Sequence, residues 1–175
     1  MSWFFQLKVL IPFYTWVLSI KHGYRKAWKI ICAEFSFETG NYTDYKANEP
    51  YYNICGMRPA AVREQNRTGE HNGYATFNDY WDCIEDFMLR NKAFNIPDVS
   101  NENDVKTWVS NLKKSNYFEA NEQQYAKGVQ HYLSSQGGHY NSVVMWFGVS
   151  FLAVCAAFAY GFYHYAQKKG GIFKG

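Results

Sequence analysis

Apolar residues in this chain follow two patterns, and each predicts a different setting. From Tyr24 to Phe37, the residues Tyr24, Trp28, Ile31 and Phe35 recur three or four positions apart, with Cys32 beside them. That spacing makes one stripe on a helix, and the stripe predicts packing against a core. The same period runs through Phe77–Leu89 (Tyr80, Ile84 and Phe87 or Met88) and through Glu122–Leu133 (Tyr125, Val129 and Tyr132 or Leu133). A shorter helix is predicted over Asp104–Leu112, where Asn103 or Asp104 can cap the first turn. Two other stretches are apolar without a period. Trp3–Ile20 is interrupted by Gln6, Lys8 and Pro12, whereas Val143–Tyr163 contains no charged residue.

At about 1.5 Å per residue, a helix over Val143–Tyr163 matches a hydrocarbon layer of roughly 30 Å. Trp146 at one end and Tyr160, Tyr163 and Tyr165 at the other resemble interfacial anchors. Lys168, Lys169 and Lys174 follow, while the near side has no Lys or Arg back to Lys127. The positive-inside tendency then predicts a cytoplasmic C-terminus and an outward-facing domain. In a virus particle that rule describes only the host stage. Trp3–Ile20 lacks the charged start and small-residue cleavage site of a secretory signal. Three readings of it compete: the first helix of the domain, a helix lying on a bilayer surface, or a poor span. Lys21, Arg25, Lys26 and Lys29 come next, either as a solvated helix face or as a contact for anionic headgroups.

The polar stretches complete the division of the chain. Gly40–Pro50 reads as a loop, and Arg58–Tyr74, with Gly69 and Gly73, as a hairpin or flap. Asn95–Asn103 reads as a loop around Pro97 and Ser134–Ser142 as a linker. The expected order is an apolar N-terminal helix (1–23), one domain (24–134), a linker (135–142), a membrane span (143–165) and a basic tail (166–175).

Composition narrows the chemistry. A chain of 175 residues can bury a real core. A net charge of +3 gives no broad basic field, so no nucleic-acid partner is expected. Aromatics reach 20%, including fifteen Tyr and six Trp, which suits sugar-binding clefts but equally cores and membrane interfaces. Cys32, Cys55, Cys83 and Cys155 form no close pair and read as reduced thiols. The five His have no zinc-site spacing, so neither a metal nor another cofactor is expected.

One carboxylate stands out. Glu38 ends the Tyr24–Phe37 stripe just before Gly40, a natural helix stop. A carboxyl group held against apolar side chains loses hydration, its pKa rises, and it can serve as a general acid near neutral pH. A solvated glutamate at a helix end is the plainer alternative.

Four segments, taken in order, resemble the bacterial glucosaminidase family of peptidoglycan hydrolases, which includes autolysins, the hydrolase half of the flagellar rod-cap protein and many phage lysins. The family's Ala-Gln-x-x-x-Glu-Ser-Gly helix end is matched by Ala33-Glu34-Phe35-Ser36-Phe37-Glu38-Thr39-Gly40. Its Asn-Leu-Phe-Gly-Ile-Lys is matched by Asn53-Ile54-Cys55-Gly56-Met57-Arg58. Its Phe-Arg-x-Tyr-x-Ser segment and acidic helix resemble Tyr74–Asp79 and Trp81–Phe87, without the Arg. Its late Gly-Tyr…Tyr-Ala-x-Lys segment resembles Asn116-Tyr117 and Tyr125-Ala126-Lys127, with a longer spacer.

The resemblance implies a mainly α, lysozyme-like α+β domain with a small β-flap over a sugar-binding groove, followed here by one C-terminal transmembrane helix. It implies Glu38 as proton donor and Tyr117 as the groove tyrosine beside the reacting sugar. It also implies substrate contacts from Asn53, Gly56, Arg58, Tyr74 and Phe77. The second carboxylate would sit on the flap, as Glu64 or Glu70 with Glu64 preferred; Asp44 and Glu49 are further options. Implied partners are peptidoglycan strands, a lipid bilayer and, on one reading, proteins of a virion or envelope. The function expected is a membrane-anchored glycosidase, for example a virion-associated lysin of a membrane-containing phage. The alternatives are a lytic transglycosylase working with one acid and a non-enzymatic structural protein of the same shape.

Overall fold

A computed structural model describes residues 3–48, 50–59 and 66–170. Five helices carry the architecture: α1 (Trp3–His22), α2 (Trp28–Glu38), α3 (Tyr80–Ala93), α4 (Val105–Lys114) and α5 (Glu122–Gly170). A two-stranded antiparallel hairpin, β1 (Gly69–His71) and β2 (Tyr74–Thr76), lies between α2 and α3. The mainly helical class with a small flap is as expected.

The helix α2 is the centre of the core. Trp28, Ile30, Ile31, Cys32, Ala33, Glu34, Phe35 and Ser36 are all buried, because α1 and α5 both pack on it. It starts four residues later than the hydrophobic stripe predicts. Gly23 takes φ +87° and turns the chain, and Tyr24 donates its hydroxyl proton to the carbonyl of Ile96. The cap of α2 comes from far along the chain: Asp98 accepts from the amides of Lys26 and Ala27. A carboxylate at a helix N-terminus satisfies free N–H groups and complements the helix dipole.

The helix α1 packs on the domain through one face. Leu7, Ile11 and Leu18 are buried on one face. Phe13 stacks on Phe147 of α5 at 4.1 Å. Among the basic residues that follow, Lys21 pairs with Glu85 and Lys29 with Glu102. The loop before β1 contains a short 3₁₀ turn, Tyr45–Ala47, capped by Asp44. The hairpin turns at Asn72-Gly73, with φ of +50° and +77°, the left-handed pair that a two-residue turn requires. Asp79 caps α3 and Asp104 caps α4, each through a carboxylate accepting a backbone amide. Cys55 and Cys83 meet as buried thiols with sulfurs 3.1 Å apart.

The stretch Ser134–Ser142 differs from expectation: it is helical, and α5 runs without a break for 49 residues. Tertiary contacts outweigh the two glycines there. Tyr140 is buried with its hydroxyl 3.1 Å from Ser36 Oγ, Gln136 donates to Asn41, and His139 meets the carbonyl of Lys8. Phe147 still meets Phe13, and from Val149 to Gly161 the side chains are exposed. Met145, Trp146, Phe151, Leu152 and Phe158 are each more than 60% exposed. This helix is long and apolar enough to cross a membrane.

Candidate active site

Glu38 is the last residue of α2, and the local sequence opens that helix end toward a cleft. Thr39 turns its hydroxyl back to the carbonyl of Phe35, and Gly40, Asn41 and Tyr42 follow with φ of +53°, +60° and +68°. The chain thus leaves sharply and the Glu38 side chain remains at the helix mouth, half-buried. The cleft in front of it holds about 420 Å³ and is lined by Glu38, Lys46, Arg58, Tyr74, Tyr117 and Glu119, among others. Protein clefts of roughly 300–1,000 Å³ suit small ligands or a few sugar units.

Gly56 packs directly under the carboxyl group. A Cβ at that position would lie 2.7 Å from Glu38 Oε2, and its φ is +65°. The left-handed φ favours glycine, and any Cβ there would displace the Glu38 carboxyl group. The turn carrying Gly56 is held by Asn53, whose side chain donates to the carbonyls of Met57 and Ala75 and accepts from the Met57 amide. Asn53 is fully buried, and Phe77 is 2% exposed in the core. These two stand behind the cleft, not along it. Gly56, Arg58, Tyr74 and Tyr117 do line it. Tyr117 hydrogen-bonds the carbonyl of Cys55, tying the segment after α4 to the same turn.

The helix α5 supplies the other contact to Glu38. Tyr125 Oη lies 2.5 Å from Glu38 Oε1 and 3.2 Å from Glu34 Oε1. Close approach of α5 to α2 depends on Gly128, where a Cβ would meet the Phe37 ring at 2.2 Å. Phe37 and Phe118 then enclose the Tyr125 ring, edge-on at 5.0 Å and stacked at 3.9 Å.

Burial pushes the Glu38 pKa up; the Tyr125 hydrogen bond and the Lys46 ammonium offset part of this, and Asp44 adds to it. Its place at a helix C-terminus acts in the same direction as burial, because the dipole there disfavours negative charge. One turn back, Glu34 is fully buried and accepts from Trp108 Nε1 at 2.8 Å. Burial is the main reason its pKa rises to about 8, and Glu38 adds to the rise. A carboxyl group with its pKa raised in this way keeps its proton to higher pH than a free one and still reaches a ligand in the cleft.

The flap candidate Glu70 is exposed on β1, and Asp44 is engaged as the cap of the 3₁₀ turn. Glu64 and Glu49 lie outside the described residues. The sequence reading missed Glu119, Lys46 and Arg90 as cleft residues. Arg90 is held between the rings of Phe94 and Tyr117, at 4.8 and 4.6 Å, and donates to Ser115. It also missed Glu34 and Tyr125 as partners of the Glu38 site. An acidic residue in the middle of an apolar helix face was the available signal for Glu34.

Comparison with known proteins bears on the family and the fold. The profile of the glucosaminidase family, described as mannosyl-glycoprotein endo-beta-N-acetylglucosaminidase, matches residues 16–137. None of the curated proteins matches the chain in sequence. Among solved structures, the catalytic domain of the autolysin Auto from Listeria monocytogenes is similar, with a TM-score of 0.53 at 16% identity. The match covers 83% of this chain and 88% of that one. The fold is therefore shared, and the chain belongs to the glucosaminidase family of glycoside hydrolases.

Proposed function

We propose that the protein cuts the glycan strands of peptidoglycan, with Glu38 as general acid, from a domain tethered to a membrane by α5. The observation that carries this reading is the Glu38 carboxyl group at the cleft, backed by Gly56 and bonded to Tyr125. Glycoside cleavage passes through an oxocarbenium-like state, and the leaving oxygen must gain a proton as its bond to carbon breaks. With Oε1 engaged by Tyr125, the transferable proton belongs on Oε2, the oxygen over Gly56. Tyr74, Tyr117 and Arg58 provide ring faces and a cation for sugar and peptide groups. The family match and the fold shared with an autolysin domain favour a wall glycan as substrate.

A water-activating carboxylate completes a hydrolase. Glu64 is proposed for that role. Without it, the sugar's own hydroxyl would close the ring and the enzyme would be a lytic transglycosylase. The anchor is supported by the exposed apolar side chains of α5 between Val149 and Gly161, a surface that water disfavours and lipid accommodates. Such a tether suits a virion-associated lysin in a membrane-containing phage, and equally an envelope enzyme.

Mass spectrometry of purified peptidoglycan digested by the full chain tests the reading. Fragments with reducing sugar ends are expected from wild type and none from Glu38→Gln. Anhydro-muramic ends would assign the transglycosylase. Fragments equal in amount from both proteins would remove Glu38 from its role, and no fragments from wild type on several wall types would favour the structural alternative.

A further inference from the structure

Glu34 is a buried carboxyl group beside Glu38 that the chemistry above does not use. Its two oxygens have two partners: Trp108 Nε1–H donates to Oε2 at 2.8 Å, and Tyr125 Oη lies 3.2 Å from Oε1. Tyr125 in turn lies 2.5 Å from Glu38 Oε1. A phenol has one proton to donate. The shorter contact has the length of an O–H donor facing a carboxyl oxygen. If Tyr125 gives its proton to Glu38, its contact with Glu34 is a hydrogen bond only when Glu34 is the donor. An ionised Glu34 would instead compete with Glu38 for the same proton and leave a negative charge fully buried.

We propose that Glu34 is a neutral positioning residue, whose proton donated to Tyr125 points the Tyr125 hydroxyl at Glu38 Oε1 and so leaves the transferable proton of Glu38 on Oε2. The proposal rests on Glu38 as general acid and adds the device that orients it. The chain runs from Glu34 O–H to Tyr125 O–H to the Glu38 carboxyl, across α2 and α5. Trp108 from α4 fixes its far end. The titratable and charged groups facing Glu34 are Glu38 on its own helix, Cys55 in the turn, Arg90 from α3, and Tyr117 and Tyr125. The hydrogen bonds from Trp108 and Tyr125 and the Arg90 guanidinium favour the ionised form, but burial, the largest influence, outweighs them and lifts the pKa to about 8.

Activity is then highest with both carboxyl groups protonated. Loss of the Glu38 proton gives the alkaline limb of log kcat/KM a slope of −1, and loss of the Glu34 proton as well makes it steeper than −1. Glu34→Gln keeps the bonding pattern, with the amide N–H donating to Tyr125 and the amide oxygen accepting from Trp108, but has no proton to lose. Its activity at about pH 6 is expected within roughly threefold of wild type, with a limb that stays at slope −1. Glu34→Leu removes the donor, and its activity is expected to fall about tenfold or more at every pH, the scale of a lost hydrogen bond to a reacting group.

A second readout does not depend on turnover. The infrared difference between wild type and Glu34→Gln, taken on the full solubilised chain, is expected to show a protonated carboxyl band at about pH 6 that disappears above about 8. A wild-type band absent at about pH 6, or a Glu34→Gln limb as steep as wild type, would overturn the proposal. If Glu34→Leu fails to fold by circular dichroism, the Gln variant and the infrared band decide. Full activity in Glu38→Gln would sink the general-acid reading instead, and the band would still report whether Glu34 carries a proton to donate.

Discussion

The two walls of the cleft are built differently. On one side, α2, the Gly56 turn and α5 hold Glu38 among buried side chains, with Tyr125 3% exposed and Cys55 fully buried. On the other, Arg58 and Glu119 face solvent and Tyr74 of the flap is half-buried. The first wall can raise a carboxyl pKa and fix its orientation; the second can only offer contacts that water competes for. Substitutions on the first wall should therefore lower kcat, and those on the second should chiefly raise KM.

The largest effect expected is from Glu38→Gln, a loss of at least ~100-fold in peptidoglycan cleavage, the usual scale for a general acid. Gly56→Ala comes next. Its Cβ would meet Glu38 Oε2 at 2.7 Å in a left-handed backbone conformation, so a drop of about 10–100-fold in kcat is expected, with fold retained by circular dichroism. A milder loss in kcat than in kcat/KM would mean that the turn binds substrate and does not place the acid. Gly128→Ala should push α5 off Phe37, lowering stability in denaturant titration by about 1–3 kcal/mol and loosening Tyr125 from Glu38.

A smaller, pH-dependent effect follows from Glu34. Its folded pKa, about 8, lies above the unfolded value near 4.5. The folded chain holds the proton longer, so stability is highest below the unfolded pKa and falls as pH rises toward 8. Denaturant unfolding of Glu34→Gln should lack that part of the fall, on the order of a few kcal/mol. At the bottom of the scale, Glu70→Gln on the exposed flap should change kcat/KM by less than about threefold. A loss of ~100-fold there would move the second carboxylate from Glu64 to Glu70 and break the contrast between the walls.

Local signals made part of this molecule legible. The three-to-four spacing from Tyr24 to Phe35 and the stop at Gly40 put Glu38 at the end of a core helix, because both depend on near neighbours in sequence. Asp104 as a cap and the uncharged run after Val143 were readable for the same reason. What surrounds Glu38 was not. Tyr125 and Trp108 reach the α2 carboxyl groups from 87 and 74 positions away. Asp98 caps α2 across 71 residues. The stretch Ser134–Ser142 reads as a linker by composition, yet Tyr140 and Gln136 hold it helical through contacts with α2 and the turn after it. Asn53 was expected to touch sugar, but its amide serves the backbone of Met57 and Ala75.

The most direct test of Glu38 as proton donor uses a leaving group that needs no proton. Cleavage of a dinitrophenyl glycoside of an N-acetylated oligosaccharide should be compared with cleavage of native glycan, in wild type and Glu38→Gln. The account predicts that Glu38→Gln loses at least ~100-fold on native glycan and less than about tenfold on the activated substrate. Equal losses on both substrates would contradict it, because Glu38 would then be doing something other than delivering a proton.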